Sequence, residues 1–401
     1  MDSLPETTDF RNVFDGTKMS PSKKEDKLAH DVIELLADLV KIPSICGDER
    51  KAADFILKWL QENNIPAEML EVRPNRPDVI VRLKAPLPGP RILLNGHMDT
   101  VEVGRGWTRD PFGAQIENGR MYGRGTMDMK SGLASILWAT AACKKEGLPK
   151  RGELIVAAVV DEEAYDWGSY GLVQRGLTEG VDFAMIPEPT GLSVVTAHCG
   201  RTKFEVNVHG KSAHSMWPDH GVNAIEKAAL LVNSLPRIAG PTHPRLGHPT
   251  VNTLKIEGGQ EELMLVPESC RIVMDRCLVP GYDSKAALAD FKQLISDLRI
   301  DAEAKLAPRE TPYCEPFEIS DNNPNIPRIV ETAAKVLGRT PKIDSHYGPC
   351  DSCILVNQGG IPTIEFGPSG EGLHEFDEYV DIDSTRKTAD VYRGVIRAYM
   401  S

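Results

Sequence analysis

Apolar residues recur at helical spacing at Val32, Leu35, Leu36 and Leu39, which predicts an amphipathic helix over 27–40, stopped at Ile42-Pro43. Residues 1–26 are polar and read as an arm or a frayed start. A second helix is expected over 49–63 and an extended segment over 65–72. Strands follow at 79–83 and 91–94, separated by the breaker Pro86-Leu87-Pro88-Gly89-Pro90. Residues 133–142 have the pattern of a helix. Residues 153–160 (ELIVAAVV) are apolar at odd and even positions alike, as in a central strand buried on both faces. Short apolar strands are also expected at 183–186 and 361–366.

Between 198 and 312 the pattern changes. A half-buried strand at 204–208, a helix at 222–235, strands at 251–256 and 270–279, a helix at 284–298 and a strand at 302–306 give the order β-α-β-β-α-β. That is a ferredoxin-like α+β unit inserted into an α/β domain. The expected domains are therefore 1–197 with 313–401, whose mixed, mainly parallel sheet is flanked by helices, and 198–312 inserted between them.

A length of 401 residues agrees with two cores. The net charge of −12 disfavours nucleic acid and anionic membrane as partners, because either would select a basic face. No apolar run approaches the roughly 20 residues of a membrane span. The polar, acidic start lacks the pattern of a secretory leader, so a cytoplasmic location and a small-molecule substrate are expected. Eight cysteines follow no framework spacing, and the single CxxC at Cys350 and Cys353 has no second pair to complete a thiolate site. Reduced structural thiols are expected.

The chemistry gathers after strands. The run 92–94 leads to His97 and Asp99, and a Gly-rich loop then delivers Asp128. Residues 153–160 lead to Glu162 and Glu163, 183–186 to Glu188, and 361–366 to His374. The edge beyond strand C-termini is where open α/β sheets place their sites. His97, Asp128, Glu163, Glu188 and His374 supply two imidazoles and three carboxylates, a set suited to zinc, with manganese or cobalt as alternatives. With Asp128 bridging two ions about 4 Å apart, each ion takes one imidazole, one terminal carboxylate and half of the bridge. Asp99 can turn back to orient His97. Glu162 is left free as a base beside the metals. Singly, each of these residues is more often an ordinary strand-end polar group; their shared placement carries the reading.

The segments GHMDT (96–100), WTRDPFGA (107–114), YGRGTMDMKSG (122–132), DEE (161–163), PEPT (187–190), GKSAHSMWPDHGVNAI (210–225), VPESCRIVMDRCLVPG (266–281) and FGPSGEGLHEFDEYV (366–380) together resemble the M20 family of metallopeptidases and amidohydrolases. Its members include acetylornithine deacetylase, succinyl-diaminopimelate desuccinylase, aminoacylase and glutamate carboxypeptidase. The resemblance implies the same five ligands, with Asp99 as the orienting aspartate and Glu162 as general base. It also implies that the insert is a lid and dimerisation domain, giving a homodimer. His214 would stabilise an oxyanion in the partner's site, and Arg276 would hold a substrate carboxylate, a task its planar fork suits. Met264 departs from the pattern, standing where many members carry a substrate-contacting Asn. This hints at a more apolar or aromatic substrate, with Trp217, His346 and Tyr347 as possible contributors.

The expected activity is hydrolysis of an amide C–N bond in an N-acyl amino acid or small peptide, by a metal-activated water with Glu162 as base. One rival is cleavage of an aromatic or ring C–N bond, supported only by Met264. A second is a non-catalytic binding protein on the same fold, disfavoured because all the ligands and Glu162 are kept. A closed structural metal site lacks a cysteine to close it.

Overall fold

The computed structural model describes residues 31–401. The predicted arm over 1–26 and the first turn of the predicted helix lie outside the described residues. The helix Val32–Val40 starts at Asp31, whose carboxylate accepts from the Val32 amide while Glu34 reaches back to the Asp31 amide. That reciprocal cap fixes where the helix begins.

The larger sheet is mixed and nine-stranded. Its order is Ala67–Arg73, Arg76–Lys84, Arg151–Val159, Leu87–His97, Phe183–Ile186, Thr363–Glu365, Val194–His198 and Phe317–Glu318, with Ile343–His346 also paired to Val194–His198. The four strands from Arg151–Val159 to Thr363–Glu365 are mutually parallel neighbours. These are the four strands whose ends carry the candidate ligands, so their C-termini share one edge.

Alternation along them explains the two layers of packing. Ile92, Leu94, Leu154 and Val156 join the main core with the helices Val32–Val40, Ser131–Lys145 and Ile382–Met400. Leu93, Ile155 and Ala157 face a smaller cluster with Leu172 and Leu355 on the other side. Burial on both faces is why these strands carry no polar stripe.

One expectation fails in detail. The 86–90 breaker does not end a strand; Leu87–His97 runs through it, with a register shift between Leu87 and Arg91. Prolines there remove ladder donors, and Gly89 passes so close to Gly152 that a Cβ would lie 2.7 Å from its nitrogen. A second sheet of two- and three-residue strands, Gly370–Glu371, Tyr379–Asp381, Arg120–Tyr122 and Gln115–Glu117, is too short to leave a periodic signal. It clips the segment bearing His374 to the loop bearing Asp128.

The inserted unit has its own antiparallel sheet, ordered Val251–Gly258, Ser269–Leu278, Gly200–His209 and Ala302–Leu306, packed with the helices Ala224–Ser234 and Ser284–Asp297. Its core of Phe204, Val206, Leu231, Ile272, Met274 and Phe291 is separate from that of the larger sheet. Among the described residues no helix is long and apolar enough to cross a membrane. All eight cysteines are free.

Candidate metal centre

His97 closes the strand Leu87–His97 and is fully buried. Its Nε2 lies 3.2 Å from Asp128 Oδ1, while the other oxygen, Asp128 Oδ2, lies 3.1 Å from His374 Nε2. Asp128 thus presents one oxygen to each imidazole. Glu163 Oε2 is 3.2 Å from His374 Nε2, and Glu188 Oε1 is 3.8 Å from His97 Nε2. All five predicted ligands converge, in two sets that share Asp128.

Crowding at this edge shifts the titration of each group. Burial pushes the Glu162 and Glu188 carboxyls up, and neighbouring carboxylates push them further, well above the usual range despite the pull of His97. Burial alone would lower the His97 pKa, but the Asp128 hydrogen bond and the charges of Glu162, Asp99 and Glu188 hold it well above its ordinary value. Asp128 and Glu163 raise His374 to about 10. Against its burial, Asp128 is held below the usual carboxylate range by His374 and His97. Glu163 Oε1 and Glu188 Oε1 are buried without a hydrogen-bond partner. Orphaned carboxylate oxygens beside paired imidazoles fit a two-cation centre.

Asp99 acts differently from the expectation. Its main-chain carbonyl, 3.0 Å from His97 Nδ1, sets the tautomer, whereas its carboxylate lies 3.6 Å from that nitrogen. The carboxylate instead accepts from the Glu162 and Glu163 amides at 3.3 and 3.1 Å. It therefore aims the turn that carries the base and a ligand. Glu162 Oε2 stands 3.8 Å from His97 Nε2, at the edge of the cluster.

Glu378 is a site residue that the sequence reading missed. Buried, it accepts from the amides of Gly125, Met127 and Asp128 and pairs with Arg124 at 2.7 Å. It holds the Asp128 loop in place. The only signal was its position in the FDEYV segment, four residues after His374.

With this geometry in view, comparison with known proteins is direct. Residues 93–398 match the model of peptidase family M20/M25/M40. The chain belongs to that family. A protein of Staphylococcus epidermidis described as a probable succinyl-diaminopimelate desuccinylase is 27% identical over 402 residues, covering 92% of this chain and 98% of its own. Aminopeptidase PepT of Bacillus cereus superposes with a TM-score of 0.74 at 23% identity, covering 91% of this chain and 97% of that one. Bacillus subtilis YXEP, described as a dinuclear metal-binding peptidase of the M20 family, gives 0.66 at 17% identity over 91% and 98% of the two chains. The protein is a hydrolytic enzyme of the metal-dependent M20 family.

The residues of the inserted unit expected to meet substrate are placed otherwise. His214 is exposed; its Nδ1 accepts from the Met216 amide at 3.1 Å, and its ring lies 5.3 Å from that of Trp217. Met264 is 70% exposed and its carbonyl accepts from the Ser215 amide, so it sits beside His214. Arg276 does not fit the substrate-binding expectation. It is 1% exposed inside the lid and donates to the Ile238 carbonyl at 2.8 Å and the Tyr282 hydroxyl at 3.0 Å. Strand alternation places it on the same face as Ile272 and Met274, toward the lid helices.

Proposed function

We propose that the protein hydrolyses an amide C–N bond in a small substrate, with two divalent cations held by His97, Asp128 and Glu188 on one side and by His374, Asp128 and Glu163 on the other. The observation that carries this is the division of the two Asp128 oxygens between the two imidazoles. When bound, such ions, zinc first and manganese or cobalt as alternatives, would polarise the scissile carbonyl and acidify a water. Glu162 is the carboxylate left over once the ligands are assigned. It takes the proton of the attacking water and returns it to the departing amine. Asp99 keeps Glu162 and Glu163 in place through their amides.

N-acyl amino acids or small peptides are the favoured substrates. The desuccinylase name of the relative and the peptidase names of the neighbours support that choice. We also propose a homodimer through the lid. The outer strand Val251–Gly258 exposes Leu254 and Ile256, and the helix beside it exposes Ile225 and Leu230. An open apolar edge strand is a surface that natural proteins cover. In such a dimer the exposed His214, whose Nδ1 is engaged by the Met216 amide, would donate through Nε2 to the oxyanion in the partner's site. The exposed apolar tip of Met264, Met216 and Trp217 favours a second reading, in which the accepted acyl or amine group is aromatic.

The test is hydrolysis of a substrate panel (N-succinyl, N-acetyl and N-aroyl amino acids, and di- and tripeptides) by zinc-, manganese- and cobalt-loaded enzyme. Turnover of at least one amide, abolished by chelation and restored by metal, is expected. Full activity after complete metal removal overturns the proposal.

A further inference from the structure

A second group of potential ligands lies one strand away from the paired centre. His198 closes the strand Val194–His198, His346 closes the strand Ile343–His346 beside it, and Glu365 closes Thr363–Glu365. One ligand atom from each lies within 4.8 Å of the other two. His198 is fully buried and Glu365 almost so. Glu365 stands in register with Ile186, two residues before Glu188, so this cluster neighbours the site described above without sharing a residue with it.

The state of the donor atoms is the informative part. His198 Nδ1 is 2.8 Å from the Gly348 carbonyl, which can only accept, so the proton on that nitrogen is fixed and Nε2 faces inward. Nε2 meets Glu365 Oε1 at 2.7 Å in an ion-pair contact that lies off the ring N–H axis. His346 Nδ1 and Glu365 Oε2 are buried without partners. Three buried donor atoms from three separate strands, none with a well-aligned hydrogen bond, thus belong to one cluster. In a buried ion pair the N–H would point at the carboxylate and the remaining lone pairs would be satisfied. A ring held by a main-chain carbonyl through one nitrogen, with the other nitrogen free, is the arrangement of a metal-ligating histidine.

We infer that His198 Nε2, His346 Nδ1 and Glu365 form a third divalent-cation site, of zinc type, separate from the paired centre. Two imidazoles and a carboxylate leave a fourth tetrahedral position for water. The Cys350 thiol, which donates to Glu365 Oε1 at 2.9 Å, stands next to the site and orients that carboxylate. A cation here ties together the strands ending at His198, His346 and Glu365. The cluster of Cys46, Glu49 and Asp99 has no such claim, because the Arg76 guanidinium already pairs with Glu49 and with Asp161 beside it.

The experiment uses the full chain, stripped with chelator, reloaded with zinc and desalted, with zinc per chain measured by mass spectrometry. His346→Gln and Glu365→Gln should each hold one zinc fewer than the wild type, while Asp128→Asn loses zinc from the paired centre and keeps the His346-dependent ion. Equal zinc in the wild type and the folded His346→Gln and Glu365→Gln proteins overturns the inference. Equal zinc in the wild type and Asp128→Asn counts instead against the paired centre. Should the variants not fold, ring-nitrogen NMR of the wild type during zinc titration gives the same decision. Shifts at His198 Nε2 and His346 Nδ1 support the third site. Shifts confined to His97 and His374 overturn it.

Discussion

On the sheet edge, ligands from four parallel strands and the loops after them meet at 3.1 to 3.8 Å, whereas on the inserted unit the three residues expected to act on substrate do not form a site of their own. His97, Asp128, Glu163, Glu188 and His374 lie in one shell with buried, unpartnered oxygens. His214 and Met264 are exposed among apolar neighbours, and Arg276 is turned into the lid core. A rigid sheet fixes its strand ends against one another, so a constellation there is complete within one chain. In the proposed dimer, a residue of the inserted unit would join a site only after a movement or the arrival of a second copy. The difference predicts that mutations on the edge act on chemistry or metal directly, while those on the lid act through assembly or stability.

The largest effect should come from Glu162→Gln. It removes the base while keeping the shape and leaving every proposed ligand. Turnover should fall about 10²- to 10⁴-fold, the usual contribution of a general base. Zinc content and unfolding midpoint should stay at wild-type values. Near-normal turnover in a metal-loaded Glu162→Gln enzyme would remove Glu162 from the mechanism.

How much of this was visible in the sequence follows from the same contrast. Apolar runs of three to eight residues announce buried strands, and His97, Glu163 and Glu188 stand two or three residues beyond the runs 92–94, 153–160 and 183–186, so their convergence could be read from order alone. His374 follows its strand by nine residues, so the ligand count and the family resemblance of residues 366–380 pointed to it more than its spacing does. Glu378 escaped notice because it serves main-chain amides, and an acid that binds backbone leaves no partner pattern in the sequence. The small sheet that clips residues 370–381 to 115–122 is invisible for a different reason: two- and three-residue strands have no period. Arg276 was misread although the signal was present. Cys270, Ile272, Met274 and Leu278 are buried at every second position, and Arg276 shares their parity.

His214→Ala tests whether the lid works in trans. Loss of one oxyanion donor should lower turnover roughly 10²-fold or more, with metal content unchanged. A mixture of His214→Ala and Glu162→Gln chains, unfolded and refolded together, should recover activity, because a hybrid dimer has one site with both groups intact. Mixed chains that stay as inactive as either parent would place His214 outside the partner's site.

Arg276→Met should act on stability, not on substrate. It frees the Ile238 carbonyl and removes a donor from Tyr282, which keeps its own bond to Asp290 at 2.5 Å. Losing charged hydrogen bonds in a packed lid costs about 1–3 kcal/mol, measurable by urea unfolding. KM should be unchanged. A tenfold rise in KM with normal stability would restore the carboxylate-binding role and show that the lid rearranges around substrate.

The smallest effect is expected at Met264, which the family resemblance sets where an Asn is expected. Its backbone is left-handed, with φ 46° and ψ 42° at the end of the short turn Glu261–Leu263. A side chain such as Met is disfavoured there by about 1–2 kcal/mol, and Asn, which bonds locally, is tolerated better. Met264→Asn should therefore stabilise the lid by up to about 1 kcal/mol and raise its unfolding midpoint slightly. If Met264 instead contacts an aromatic acyl group, the same change should lower kcat/KM for N-aroyl amino acids more than for N-acetyl ones. A change in stability with the substrate preference unmoved would mark Met264 as a tolerated strain at the lid tip, and would leave the sheet edge as the sole source of chemistry within one chain.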